Sequence, residues 1–257
     1  MIINIRTFVF FLFAIAATGF IVPTCAYGQA TEKEIHRREQ LWLGYFNQTR
    51  LGNKWGFWAE AQYRMTDNFV NRSLLLFVRP ALTYYIKDNL RVNFGYAFVQ
   101  HYPARGSDIT RAEHRPWQQI WWNQKHPGLV HLQWLRLEQR FLQKVSDGVK
   151  VDDYNYTFRI RYNMTFFIPL TGNELTSGTT FGILGNEVFL NFGENIVYNT
   201  FDQNRFFAGV GYQFSPQINV QAGYTNIYQQ ESSGINYFST HGIRLSLFHN
   251  VDLRKKE

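Results

Sequence analysis

Residues 154 to 166 alternate between two kinds of side chain without a break. Tyr154, Tyr156, Phe158, Ile160, Tyr162, Met164 and Phe166 take one parity, and Asn155, Thr157, Arg159, Arg161, Asn163 and Thr165 take the other. A 3.6-residue repeat would scatter both classes around a helix axis, so a two-residue period held this long predicts a strand with one apolar and one polar face. The pattern returns at 55 to 65, where Trp55, Phe57, Ala59, Ala61, Tyr63 and Met65 oppose Gly56, Trp58, Glu60, Gln62 and Arg64. It returns again at 90 to 99, with Leu90, Val92, Phe94, Tyr96 and Phe98 against Arg91, Asn93, Gly95, Ala97 and Val99. Further strands are predicted at 40 to 50, 73 to 86, 114 to 124, 130 to 141, 180 to 192, 204 to 214, 218 to 230 and 237 to 250, eleven in all. Most exceed the five or six residues usual in globular sheets and suit the nine to eleven that a tilted strand needs to cross a bilayer.

The connections alternate in length. Short ones carry turn residues: Leu51-Gly52-Asn53-Lys54, Lys87-Asp88-Asn89, Lys125-His126-Pro127-Gly128 and Ser215-Pro216-Gln217. Between them lie longer polar segments at 66 to 72, 102 to 112, 142 to 153, 193 to 203 and 231 to 236. Outer-membrane barrels show this rhythm of short periplasmic turns and long outer loops. The connection at 169 to 179 breaks it, being long where a short one is due.

The chemistry of the polar face sets which way the strands point. It holds Arg, Gln, Asn, Thr and Gly with a few Glu, and hardly any Lys. A planar guanidinium satisfies several acceptors at once and suits a semi-buried lumen, while aromatics suit lipid and its interfaces. The expected fold is therefore all-β: a single antiparallel transmembrane β-barrel of ten to twelve strands, with aromatics outward and polar residues inward. A two-sheet soluble sandwich with the apolar face inward is the alternative. Twelve strands are favoured, because a bacterial barrel with both ends in the periplasm needs an even number; the poorly patterned polar segment 29 to 39 is the candidate for the twelfth. In this orientation Glu60, Arg64, Arg79, Arg91, Arg115, Arg136, Glu138, Arg140, Arg159, Arg161, Glu187, Arg205 and Arg244 face the lumen as a charge network. Residues 136, 138 and 140 form an Arg-Glu-Arg ladder, about 7 Å between neighbours. Such a network, with Trp58, Phe77 and Trp117, either fills a narrow bore or presents guanidinium groups to small anionic solutes.

The chain's ends fix the compartment. Arg6, an apolar run from Phe8 to Val22 and the small-residue exit at Ala26-Tyr27-Gly28 read as a signal peptide over 1 to 28, cleaved before Gln29. A retained helix needs about 20 apolar residues, more than this run offers before Pro23. Cys25, the one cysteine, falls within the removed segment; a lipoprotein would acylate it, but Val22-Pro23-Thr24 is a poor approach to such a site. The barrel is assigned to 40 to 250 and a polar tail to 251 to 257. The net charge is +7, with 18% aromatic residues. The basic residues are spaced singly along strands, with no block outside Arg254-Lys255-Lys256, which argues against nucleic acid. The expected partners are outer-membrane lipid, the barrel assembly machinery and small anions.

Catalysis has one candidate. Ser239 and His241 share a parity near a strand's outer end, and membrane-barrel lipid hydrolases use a neighbouring Ser and His, though in the opposite order. No carboxylate is near in sequence to orient the imidazole; Glu231 is the candidate to approach it. His101, His114, His126, His131 and His249 lack metal-ligand spacing, and Gly209 and Gly211 sit in a strand rather than in a phosphate loop, so no metal and no cofactor is expected.

The motifs EHRPWQQ (113 to 119), LRLEQRF (135 to 141), NEVFLNF (186 to 192) and NRFFAGVGYQF (204 to 214) carry a resemblance, in order and spacing, together with the opening LWLGYFNQTRLGNKWGFWAEAQYR. The chain resembles the domain-of-unknown-function family 2490, a set of bacterial outer-membrane barrels, over roughly residues 40 to 250. The resemblance implies location and a β-barrel and supplies no catalytic residues. The expected function is thus a structural, permeation or small-solute binding role with a basic lumen. The alternatives are an acyl hydrolase and a surface adhesin acting through loops 102 to 112, 142 to 153 and 193 to 203.

Overall fold

The computed structural model describes residues 33 to 254. The segment read as a signal peptide, with Cys25, lies outside them, as do Lys255, Lys256 and Glu257 of the tail. Each run of alternating residues forms a strand. In chain order these are β1 (Glu34–Arg50), β2 (Trp55–Thr66), β3 (Arg72–Lys87), β4 (Leu90–His101), β5 (Arg111–His126), β6 (Leu129–Ser146), β7 (Val149–Pro169), β8 (Thr180–Phe192), β9 (Phe201–Gln213), β10 (Ile218–Gln230) and β11 (Asn236–Asp252). Each pairs antiparallel with the next, and the ring closes between β1 and β11. Closure leaves no edge, so the backbone groups of every strand find partners in the ladder.

Eleven strands form among the described residues, not twelve, and the reason lies in the first of them. Residues 34 to 39 do not make a separate strand; they lengthen β1 and pair with β11 alone, from Glu34 opposite Asn236 to Glu39 opposite His241. With an odd count the first and last strands run the same way, so the closing ladder is parallel, from Glu34↔Asn236 to Arg50↔Asp252. Both run from the mouth bearing the longer loops, the loop mouth, to the turn mouth.

A second correction concerns 142 to 153, expected as a long loop. There β6 and β7 continue as a hairpin closed by Asp147 and Gly148 alone. Both residues have positive φ, 51° and 75°, the backbone that a tight two-residue turn requires. Asp-Gly between alternating residues signals such a turn, so the structure follows the local chemistry rather than the polar average.

The faces point as the alternation predicts. Leu43, Val78, Ile120, Leu135, Ile160, Leu184, Val210, Val220, Ile243 and Leu245 are exposed on the outside, while the opposite parity is buried within. Aromatic and histidine pairs bracket this aliphatic band. Towards the loop mouth Tyr224 pairs with His241 and Tyr96 with His114; towards the turn mouth Tyr45 pairs with His249 and Trp55 packs edge-on against Tyr84. His241 and His249 stand eight residues apart on β11. At 3.3 Å per residue and a tilt near 40°, that separates the two girdles by roughly 20 Å along the axis.

Inside, aromatic rings lie flat against the wall where the wall is glycine. Beta-carbons at Gly209 and Gly223 would collide with the Phe207 ring, one at Gly211 with Phe181, and one at Gly95 with Trp117. Lacking a Cβ, these positions let a ring cover the backbone instead of projecting across the bore. Phe77, Ala81, Ala97, Val99 and Trp117 pack into one cluster on the β3–β5 side, joined by Trp58 and Leu75. Phe181, Ile183 and Phe207 form another, joined by Phe167 and Leu175. Leu175 belongs to the connection of 170 to 179, the long one at the turn mouth. Gly128 N donates to Asn173 O at 2.9 Å and Gly178 N to Gln213 O at 2.7 Å, which fixes this loop against the strands.

Candidate functional site: a basic lumen

A cavity of about 880 Å³ lies inside the ring. Its lining runs from Arg38, His101 and Gln229 at the loop mouth to Lys125, Pro127 and Asn250 at the turn mouth. All thirteen residues assigned to the lumenal face lie on the inward parity of their strands. They divide by what holds them.

One group is held by carboxylates. Glu138 Oε2 accepts from Arg159 Nη2 at 2.5 Å and Nε at 3.0 Å, and its Oε1 accepts from Arg161 Nη1 at 2.6 Å. Arg159 also donates to Asp202 at 2.9 Å and Arg161 to Glu187 at 2.5 Å. Glu113 takes Arg115 at 2.6 Å, Arg140 at 2.6 Å and His101 at 2.8 Å. Glu60 faces Arg79 at 3.5 Å. The three residues of the 136-138-140 ladder do not bond mainly to one another. Arg140 turns to Glu113 on β5, Arg136 Nε donates to Gln119 on β5 at 2.8 Å, and Arg136 stays 3.8 Å from Glu138. Gln119 stands directly opposite Arg136, where facing residues are about 5 Å apart against 7 Å along a strand, while Glu113 stands opposite Leu142 and is reached by Arg140 on the diagonal.

The other group has no carboxylate within salt-bridge distance among the described residues: Arg64, Arg91, Arg205 and Arg244. Arg91 stacks over Trp121 at 3.7 Å near the turn mouth. The remaining three gather on Trp42, their guanidinium carbons 3.5, 5.2 and 5.6 Å from its ring centroid for Arg64, Arg205 and Arg244. Register explains two of the three, since Trp42 on β1 is directly opposite Arg64 on β2 and Arg244 on β11; Arg205 reaches the ring from β9, outside that row. Gly223 and Gly209 follow Arg244 in the same row, and the Phe207 ring lies over them.

Sequence reasoning missed three lumenal residues. Glu113 shares the parity of Arg115 and was legible from it. Trp42 shares the parity of Gln40 and Gln48. Asp202 was hidden because 193 to 203 reads as a loop, whereas β9 begins at Phe201.

Ser239 and His241 do share a face, the outward one, but no hydrogen bond joins them. His241 Nδ1 lies 2.6 Å from the Tyr224 hydroxyl, and the Glu231 side chain makes no ion pair with it. The same Tyr-His pairing recurs at Tyr45 and His249, 3.1 Å apart, and at Tyr96 and His114, which makes His241 a girdle residue like the others.

Among solved structures, the chain is similar to the NanC porin in its rhombohedral crystal form, with a TM-score of 0.48 and 13% identity over 82% of this chain and 98% of that one. Among curated proteins it is 28% identical to an uncharacterized protein of Methylorubrum extorquens over 229 residues, 87% of this chain and 92% of that protein. The family described as "Protein of unknown function (DUF2490)" matches residues 39 to 238, and the chain belongs to that family.

Proposed function

We propose that the chain is an outer-membrane β-barrel whose basic lumen binds small anions and lets them pass. An outward aliphatic band between aromatic girdles supports the membrane, since it matches the outer surface of barrels that sit in lipid. The leader-like N-terminal sequence supports export. One observation carries the lumenal role: the interior cavity has lining residues at both mouths, among them guanidinium groups that lack carboxylate partners among the described residues. Rings or clusters of Arg make a passage selective for anions, because entry replaces part of the ion's hydration with fixed donors.

The test is reconstitution. Folded protein, recognised by heat-modifiable gel mobility, is placed in a planar bilayer under a potassium chloride gradient. The expected reversal potential has the sign of chloride preference. A folded barrel that carries no current, or one that prefers potassium, overturns the reading.

A further inference from the structure

We infer that Arg64, Arg205 and Arg244 form a discrete site for the oxyanion of a small organic acid, carboxylate or phosphate, placed where Trp42 stands in the barrel wall. The inference rests on the anion-binding lumen and adds the place and the chemistry of recognition.

Three observations distinguish this place from the rest of the lumen. The first is what holds the guanidinium groups. Arg64 Nε and Nη2 donate to Gln62 Oε1 at 3.1 and 2.7 Å, and Arg205 Nε donates to Gln203 Oε1 at 2.8 Å. Neutral amides thus fix two forks without cancelling their charge, whereas Arg115, Arg140, Arg159 and Arg161 all rest on carboxylates. The second is Arg244, which makes no hydrogen bond or ion pair among the described residues and lies over Phe207 at 4.4 Å. A ring face holds a guanidinium by its quadrupole and leaves its in-plane N–H groups free to donate. The third is preorganisation. Trp42 Nε1 donates to Gln40 at 2.6 Å, so the indole on which the three converge is itself held, and the Phe207 ring under Arg244 is seated against Gly209 and Gly223.

Three like charges gathered on one indole repel one another, and an oxyanion bridging their forks relieves that repulsion with charge-assisted hydrogen bonds. The nearest interior carboxylates are already engaged, Glu187 with Arg161 and Glu60 with Gln62 and Arg79. A surrounding cavity of about 880 Å³ lies in the range of small-molecule pockets, so the body of an organic acid fits beside its charged end.

The experiment is titration calorimetry on the folded full barrel in detergent at low ionic strength, with citrate, glycerol 3-phosphate and glycerol as probes. At least one anion is expected to bind, and glycerol is not; the two anions tell carboxylate from phosphate recognition. Arg64→Gln, Arg205→Gln and Arg244→Gln should each weaken binding at least tenfold. Lys54→Gln, which removes the same charge from an exposed turn outside the cavity lining, should change it less than twofold. Heat-modifiable mobility verifies that each variant folds. Equal losses in all four variants would mean a diffuse field and overturn the site, as would undiminished binding in Arg244→Gln or the absence of binding by both anions. Chloride preference that persists while these outcomes occur leaves the lumenal reading standing without the site; failure of chloride preference in the bilayer is failure of that reading itself.

Discussion

Arg136 and Arg161 face each other directly across the β6–β7 ladder, two like charges in one cross-strand pair, and Glu138, two residues along β6 from Arg136, places a carboxylate oxygen 2.6 Å from Arg161 and 3.8 Å from Arg136. Like charges directly opposite destabilise a sheet pair. Glu138 is 1% exposed and offsets that repulsion while also holding Arg159. Its replacement therefore leaves buried guanidinium groups in mutual repulsion, which is costlier than the loss of a surface bridge.

Glu138→Gln keeps the shape and removes the charge, and it should lower unfolding stability by about 3 kcal/mol. The urea midpoint of gel-shift mobility in detergent reads this directly. An unchanged midpoint would show that the network does not hold the barrel.

The rings seated on glycine give a second expectation. At Gly211 a β-carbon meets Phe181, and at Gly223 one meets Phe207 and the backbone of β9. Gly211→Val should drive the Phe181 ring off the wall and cost about 1–3 kcal/mol, as overpacking of a filled interior does. Gly52→Val, at a turn where no atom lies within 4 Å of an added carbon, should leave the midpoint within experimental scatter.

At the loop mouth Asp67 ties two connections together. Its carboxylate accepts from Arg72 Nε at 2.8 Å and from Arg105 Nε at 3.0 Å, and the hydrogen bond from Arg72 holds its pKa below the ordinary aspartate value. A carboxyl whose pKa is lowered by folding contributes stability above its unfolded pKa, near 4, and loses it as pH falls through the folded value. Amide protection in residues 67 to 71 and 102 to 110, taken relative to the intrinsic exchange rate at each pH, should therefore fall below about pH 4 and stay level from pH 5 to 8. Asp67→Asn should show the reduced protection at neutral pH.

Much of this was legible from period two alone. The eleven alternating runs became eleven strands because parity is decided residue by residue, and burying one face leaves little freedom of register. Glu60, Arg79 and Arg159 were placed inward on that rule and are 5%, 4% and 4% exposed. The twelfth strand failed for a different reason, since it came from an expectation about where chain ends lie rather than from any alternation in 29 to 39. Partner choice in the lumen was also out of reach: no sequence pattern says that Arg140 reaches Glu113 while Arg244 reaches nothing. That depends on the register between paired strands and on the direction each long side chain takes, which only the folded sheet sets.

The connection of 170 to 179 is the long segment at the mouth of short turns, and its placement predicts what it does. Asn173, Glu174 and Leu175 line the cavity, and Leu175 packs onto Phe181, Ile183 and Phe207. The loop is pinned at two points, through Asn173 to Gly128 and through Gly178 to Gln213, and Thr179 Oγ1 donates to Glu174 O at 3.1 Å within it. A segment so tied narrows the turn mouth permanently rather than swinging clear of it. Replacing 171 to 178 by a two-residue Asn-Gly turn, which suits hairpins between antiparallel strands, should raise single-channel conductance and leave chloride preference in place, because the arginines of the lumen are untouched. Conductance equal to that of the intact chain would show that the narrowest passage lies elsewhere, at the Trp117 cluster.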